Sequence, residues 1–432
     1  GTPQLENTTI NISGGEVTSA EDTAIYHPQA GTVNISGGTV SGVTGGVQMC
    51  SGSLNVTGGT ITATGNDETS TKTGDGSIPD GAAVSVVNRS YPGGTPSATI
   101  SGGTLTSASG VDAVQAYTWA NNAKANWADA ASNVSVTGGM FSTNVSDYCV
   151  SGYEVVENNG TYTVEDHRVA EIDGVGYTSL AGAIADATNG QTVKLLNDVD
   201  LPGNVVINKS ITLDLNGKKI YNTTDIWHDA DENDENDKNI VAMFDIKNGA
   251  DVIITGNGTV EAKQNDCYNF NIVKGSLTIE NGTFIGNVSA VQVQNGHLAI
   301  KGGKFDLLQK WDGSKFLINC IDDAWADGSA TVAISGGTFV NFDPAHGPEK
   351  GNPSFCAPGY KTELTNGVYV VKAGTNDAIS AIDTALEAVK NDEPVSKEDT
   401  RKAVTDAVTA VKDIPNNKLT DTTTMDKLAK LE

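Results

Sequence analysis

The side chains able to do chemistry are few, and their spacing sorts them. Asp322-Asp323 is the one Asp-Asp pair in the chain. Two carboxyls held about 5–9 Å apart across a sugar would serve acid/base hydrolysis of a glycosidic bond. The insertion at residues 227–237, WHDADENDEND, packs six acids into nine residues and opens as D-x-D-x-N, like a calcium loop. Asp229, Asp231, Asp234 and Asp237 are its candidate ligands, and calcium is the only cofactor they suggest. Asp234 nevertheless stands where an EF-hand needs Gly, and the twelfth position is Ile240 rather than Glu. A solvated acidic loop is the plainer expectation. Tryptophan is confined to inserted or loop segments, at Trp119, Trp127, Trp227, Trp311 and Trp325. Sugars stack their C–H faces on exposed indoles, which makes Trp119, Trp227, Trp311 and Trp325 the candidate ligand-binding residues. The five histidines, His27, His167, His228, His297 and His346, are scattered with no Ser or Cys partner phrase, so nucleophilic catalysis finds no support.

Composition narrows the partners. With 27 Lys+Arg against 53 Asp+Glu the formal charge is −26, and Arg occurs only at 89, 168 and 401. Nucleic acid needs a basic face, so it is excluded as a partner. No apolar run of about 18 residues occurs, so no membrane insertion is expected. Cys50, Cys149, Cys267, Cys320 and Cys356 are odd in number and lack CxxC spacing, which leaves buried free thiols as the expectation. The opening Gly1-Thr2 carries no information on targeting.

The elements that must position these residues are written as a repeat. TINISGGEV, TVNISGGTV, SLNVTGGTI, ATISGGTL and NVSVTGGMF recur in the first half, and SLTIENGTF, HLAIKGGKF and TVAISGGTF in the second. Their second glycines, from Gly15, Gly38 and Gly59 onward, fall on a period of about 22 residues or its multiples with insertions. A second phrase, small-apolar-polar-apolar, alternates with it at Ala24-Ile25-Tyr26, Gly46-Val47-Gln48-Met49, Ala113-Val114-Gln115-Ala116 and Ala290-Val291-Gln292-Val293. Each period thus holds about three short strands with one buried face. Ile10, Ile12, Val33 and Ile35 are expected inside, Asn11 and Asn34 outside. One such triplet cannot bury its own face. Stacking successive coils can, and that is a parallel β-helix.

The chain is also written twice. Trp127-Ala128-Asp129 recurs as Trp325-Ala326-Asp327, each followed by the Gly-Gly phrase, and both halves close as C-x-x-G-Y … N-G-x-Y-x-V. The matched places of Trp127 and Trp325 also suit packing. Three segments follow: a β-helical module over 1–167 with a closing hairpin, a second over 168–372, and a small helical module or stalk over 373–432. In the second module Leu180, Ala183, Ile184 and Ala187 show helical spacing, so a short helix is expected as a lid, before strands at 192–196, 205–207 and 211–215. The first module enters mid-coil at Thr2, and a lid of its own is expected outside this sequence. In the third, Ile379, Ile382, Leu386 and Val389 share a helix face, Ser396 with Asp399 has capping-box spacing, and a last helix fits 425–431.

Y-x-S-L-x-x-A-I-x-x-A-x-x-G-x-T-V-x-L-L followed by I-T-L-D-L-N-G-K, at 177–218, resembles the opening segment of right-handed β-helices of the pectate-lyase-like superfamily. Joined to G-G-T-F … G-Y … N-G-x-Y-x-V, it is similar to large secreted surface proteins of Gram-positive gut bacteria, over roughly residues 4–372. The resemblance implies an all-β fold, two tandem right-handed parallel β-helices, in an extracellular protein, secreted or associated with the cell wall. Polyuronide hydrolases of that superfamily use an Asp, an Asp-Asp pair, Gly-His-Gly and Arg-x-Lys on one groove. Only Asp322-Asp323 answers, and the first copy has Lys124-Ala125 in its place. Lyases of the superfamily need clustered Arg or Lys with calcium-binding carboxylates, and the three Arg do not cluster in the sequence. The expectation is therefore a monomeric, non-catalytic adhesin or glycan-binding module with a glycan or host surface protein as partner. A polysaccharide lyase or glycoside hydrolase centred on Asp322 and Asp323, and a structural stalk, are the alternatives.

Overall fold

The computed structural model describes residues 7–66, 76–231, 234, 237–309, 311–357 and 359–374, together with 382, 385–387, 389–390, 401–402 and 404–405. The protein is mostly β, with parallel sheets. It divides into two compact units, Gly1–Arg168 and Val169–Glu432.

In the first unit, strands Thr9–Thr18, Thr32–Gly42, Ser53–Ala63, Ser97–Thr106 and Val134–Phe141 form one sheet in chain order. Every neighbouring pair among them is parallel. The register aligns one repeat with the next: Ile10 opposes Val33, Val33 opposes Leu54, Leu54 opposes Ala98, and Ala98 opposes Val134. Period-2 alternation puts Val33, Ile35, Leu54, Val56 and Ile100 in the core with no exposure. Asn34 and Asn55 stand on the other face, each amide donating at 2.8 Å to the Oδ1 of the preceding Asn, Asn11 or Asn34. Where three short strands per repeat were expected, this unit runs one strand of 10–11 residues straight through the Gly-Gly corner. A bulge between Ile35 and Thr39 absorbs the bend, so the ladder continues beyond it. The corner needs glycine for contact as well as conformation. A Cβ on Gly37 would lie 2.6 Å from the Ser13 carbonyl oxygen of the coil before, and Gly38 has φ +79°. The hairpin Tyr153–Asn158/Thr161–Asp166 closes this sheet, its second strand antiparallel to Val134–Phe141.

Among the described residues the second unit has three sheets, matching the expected three strands per period. Helix Leu180–Asp186 starts on Ser179, whose hydroxyl accepts from Gly182 N at 2.9 Å. Leu180, Ala183 and Ile184 face inward and join the unit's core. The strands predicted after it appear as Thr192–Leu195, Val205–Ile207 and Thr212–Asp214. Phe244, Phe270, Phe284, Phe305 and Phe339 succeed one another through the core with ring centroids 5.0–5.9 Å apart. The hairpin Tyr360–Thr365/Val368–Ala373 closes the end, antiparallel to Thr338–Val340. The duplicated cysteines act alike: Cys149 bridges to Val136 and Cys356 to Ile334, both parallel. All five cysteines are free thiols. Cys149 and Cys356 are only half-buried, because each sits in the chain turning from the last coil into the hairpin. Residues 382, 385–387, 389–390, 401–402 and 404–405 are helical, and the rest of the expected C-terminal helices, Ile379, Ser396, Asp399 and 425–431 among them, lies outside the described residues.

Candidate functional site

In the first unit a second parallel sheet is built from Thr23–His27, Gly45–Met49, Val84–Asn88 and Val114–Ala120, to which the short strand Ala123–Ala125 adds antiparallel. Its inward column is Ile25, Val47, Val84 and Val114. Its outward column, one residue on, is Tyr26, Gln48, Ser85 and Gln115. Residues 76–82 lie across this outer face. Gln48, 1% exposed, clamps them: its amide donates to Ile78 O and accepts from Ile78 N, both at 2.9 Å. Cys50, Ile78, Val87 and Tyr117 bury one another there, with half-buried Tyr26, Tyr91 and Trp119 packed against them, apart from the main core.

Polar groups thread this cluster. Arg89 Nη1 donates to Gly76 O at 2.7 Å and to the Tyr26 hydroxyl at 3.2 Å, and the hydroxyls of Tyr26 and Tyr91 are 3.2 Å apart. The guanidinium lies 5.4 Å from the centre of the Tyr91 ring, and Lys124 Nζ lies 4.6 Å from that of Tyr117 while donating to Gln115. Asp80, 7% exposed, accepts from Ser85 Oγ and the Tyr117 hydroxyl, each at 2.6 Å, and from Ala82 N. Burial raises its carboxyl above the usual range, and the Ser85 and Tyr117 donors offset part of that. Burial likewise pushes the Cys50 thiol up to about 11. It also holds the phenols of Tyr117 and Tyr26 protonated, reinforced by Asp80 for the one and by Tyr91 for the other. Cys50, Tyr26 and Tyr117 are thus all held in their protonated forms. The arrangement offers aromatic faces flanked by two cations, which suits binding.

The sequence candidates fall in separate places. Trp119 belongs to this cluster; Trp127 is buried in the core of the first unit. Trp325 packs edge-on against Phe355 at 5.2 Å, so its ring serves the core of the second unit. Trp227, 38% exposed, meets Tyr268 edge-on at 5.7 Å and donates from Nε1 to Asp229. The side chain of Trp311 lies outside the described residues. Buried Asp266 fixes the start of the acidic insertion, accepting from Asn222 Nδ2, Ile226 N and Trp227 N at 2.7–3.0 Å. Burial alone would raise that carboxyl, but the two amides and Asn222 outweigh it and hold it low.

Farther along the insertion, Asp237 accepts from His228 Nε2 at 2.8 Å and from Asp231 N at 2.8 Å. Among the described residues no group of three or more His, Cys, Asp or Glu is gathered to hold a metal, so Asp229, Asp231, Asp234 and Asp237 form no described calcium cluster. Asp322 and Asp323 lie exposed in the first turn of the short helix Asp322–Asp327 rather than in a loop. Asp322 hydrogen-bonds Glu349, which is 2% exposed and accepts from Cys320 N at 2.8 Å. Burial, then Asp322, pushes the Glu349 carboxyl up to about 7. A cleft of about 290 Å³ beside Ser179 and Leu180 is lined by Val199, Leu201 and Pro202, with Asp198 and Asp200. Those two carboxylates are occupied by Lys219 N and by Thr223.

Tyr26, Tyr91, Arg89, Asp80 and Glu349 escaped the reading from sequence. Tyr26, Gln48 and Gln115 did carry a signal, since all three occupy the polar position of the second repeat phrase. Glu349 carried none, because a loop brings it to Asp322 from another part of the repeat. No known protein family, curated protein or solved structure matches the chain.

Proposed function

We propose that the chain is an extracellular, non-catalytic glycan-binding protein of adhesin type, built as two tandem right-handed parallel β-helices of the pectate-lyase-like kind. Parallel pairing of each repeat with the next, over several sheets and with one apolar interior per unit, supports the β-helical reading. The binding reading is carried by one observation: half-buried Tyr26, Tyr91 and Trp119 gather around buried Tyr117 on the outer side of one sheet, with Arg89 and Lys124 beside the rings of Tyr91 and Tyr117. Aromatic faces take the C–H faces of sugars, and the flanking cations supply hydrogen-bond donors to hydroxyls. Protonated phenols and a fully engaged Asp80 favour recognition over turnover. A glycan array covering neutral and uronate polysaccharides tests this. Trp119→Ala and Tyr91→Ala are expected to weaken the bound glycan about tenfold or more, the range of an aromatic anchor, while exposed His297→Ala is neutral. Silence across the array, or variants that bind like the wild type, removes the reading. Product release from any array member would transfer the function to an enzyme.

A further inference from the structure

The sequence of the first unit holds four basic residues, Lys72, Arg89, Lys124 and Arg168, in a chain of net charge −26. Two of the four converge on one patch. Strand Val114–Ala120 lies between Val84–Asn88 and Ala123–Ala125. Asn88 opposes Thr118, so Arg89 follows beside Trp119, and Lys124 opposes Trp119 from the other side. Both cations stand on the outer face: Arg89 donates to Tyr26 of the outward column, and Lys124 to Gln115 of the same column. Two strand spacings, about 10 Å, separate their backbones, a span that two long side chains close around one small anion. Their donors outnumber the contacts they make here. A guanidinium has five N–H groups and an ammonium three. Arg89 Nη1 serves Gly76 O and Tyr26, the guanidinium also meets Cys50, and Lys124 serves Gln115. Asp80, the carboxyl of the same cluster, is turned to Ser85, Tyr117 and Ala82, and burial raises it above the usual range, which weakens it as a counter-charge.

We propose that this site takes a glycan ending in a single acidic sugar, with the sugar ring on Trp119 and its carboxylate on the donors of Arg89 and Lys124; this rests on the glycan-binding reading above. Hydrogen bonds to an ionised group are roughly twice as strong as neutral ones. Two cations beside a sugar-stacking indole therefore favour a charged ligand over its neutral counterpart. One carboxylate suffices. A polyuronate is the poorer ligand, because its further carboxylates run beyond the two cations into the field of a strongly acidic chain. A terminal hexuronate and a terminal sialic acid offer the same single carboxylate, and the test separates them.

The test is a glycan array printed in matched sets and read with the full chain. Each neutral oligosaccharide stands beside the same oligosaccharide capped with glucuronate or with sialic acid, and oligogalacturonate is included. For at least one set the acid-capped member is expected to bind about tenfold more tightly than the neutral one, the range of a hydrogen bond to a charged group. The cap that does so identifies the sugar. Lys124→Gln is expected to bring that ratio close to one and to leave binding of the neutral member unchanged, whereas Trp119→Ala weakens both members alike. Arg89→Gln should act as Lys124→Gln does, but Arg89 also ties Gly76, so exposed Lys124 is the deciding position. Equal binding within every set, a ratio that survives Lys124→Gln, or oligogalacturonate as the tightest ligand overturns the inference and leaves the glycan-binding reading standing. Silence across the whole array overturns both.

Discussion

Glu349 shows how one side chain ties a loop to a coil at a cost that depends on pH. Its Oε1 takes the Cys320 amide, its neighbour is the Asp322 carboxyl, and only 2% of it reaches solvent. A folded-state value near 7 stands above the ordinary value for Glu in an unfolded chain, about 4.3. Between those values the folded state binds the extra proton, so stability falls as pH rises toward and through 7. Glu349→Gln keeps an acceptor for Cys320 N and removes the charge. The variant should melt higher than the wild type at pH 8 and close to it at pH 4.5; equal melting curves at pH 8 would contradict the buried pair. Asp266 runs the other way. Its carboxyl is held low, so its contribution is present at neutral pH and lost as acid takes the pH down through the folded value. Asp266→Asn should therefore destabilise the chain at pH 7 and less so near pH 2. The indole of Trp227, whose amide Asp266 holds, should report this as a change in fluorescence.

The column of phenylalanines runs through the core of the second unit. Phe305 lies between Phe284 at 5.1 Å and Phe339 at 5.0 Å, fully buried, one ring per coil. Phe305→Ala removes both contacts and leaves a cavity that flanking strands, fixed by their ladders, cannot close. A loss of about 3–5 kcal/mol is expected in urea unfolding, at the level of large core truncations. In the first unit the vulnerable point is the corner. Gly58→Val places a side chain against the Ser36 carbonyl, where even the Cβ would sit at 2.6 Å. The coil must separate from its neighbour or the variant must unfold, so its melting temperature should drop well below that of the wild type. The strands of this unit were legible in advance because period and face were: Val33, Ile35, Leu54 and Val56 alternate with polar residues wherever the phrase recurs. The bend through Ser36 was not, since whether a ladder breaks at a Gly-Gly pair depends on the register of two coils together.

Across the whole molecule, sequence and structure part at contacts made between distant loops. The hairpins and the helix on Ser179 are local patterns and could be read in chain order. The cluster of Tyr26, Arg89 and Tyr91 draws on two separate coils, and no local pattern predicts which outward positions a covering segment will bury. Charge, by contrast, is a property of the total. A formal −26 means that 53 acids outnumber 27 basic residues by 26, and the described ion pairs are largely at the surface, where each contributes little. Self-repulsion among the remainder opposes compaction. Salt at about 0.1 M shortens the range of that repulsion to roughly 10 Å, and the few attractive pairs lose less than the many repulsive ones. The melting temperature should accordingly rise between low-salt buffer and about 0.5 M sodium chloride, where the screening length is shorter still. A fall over the same range would mean that local ion pairs, Lys247 with buried Asp245 foremost among them, outweigh the net charge in holding the fold.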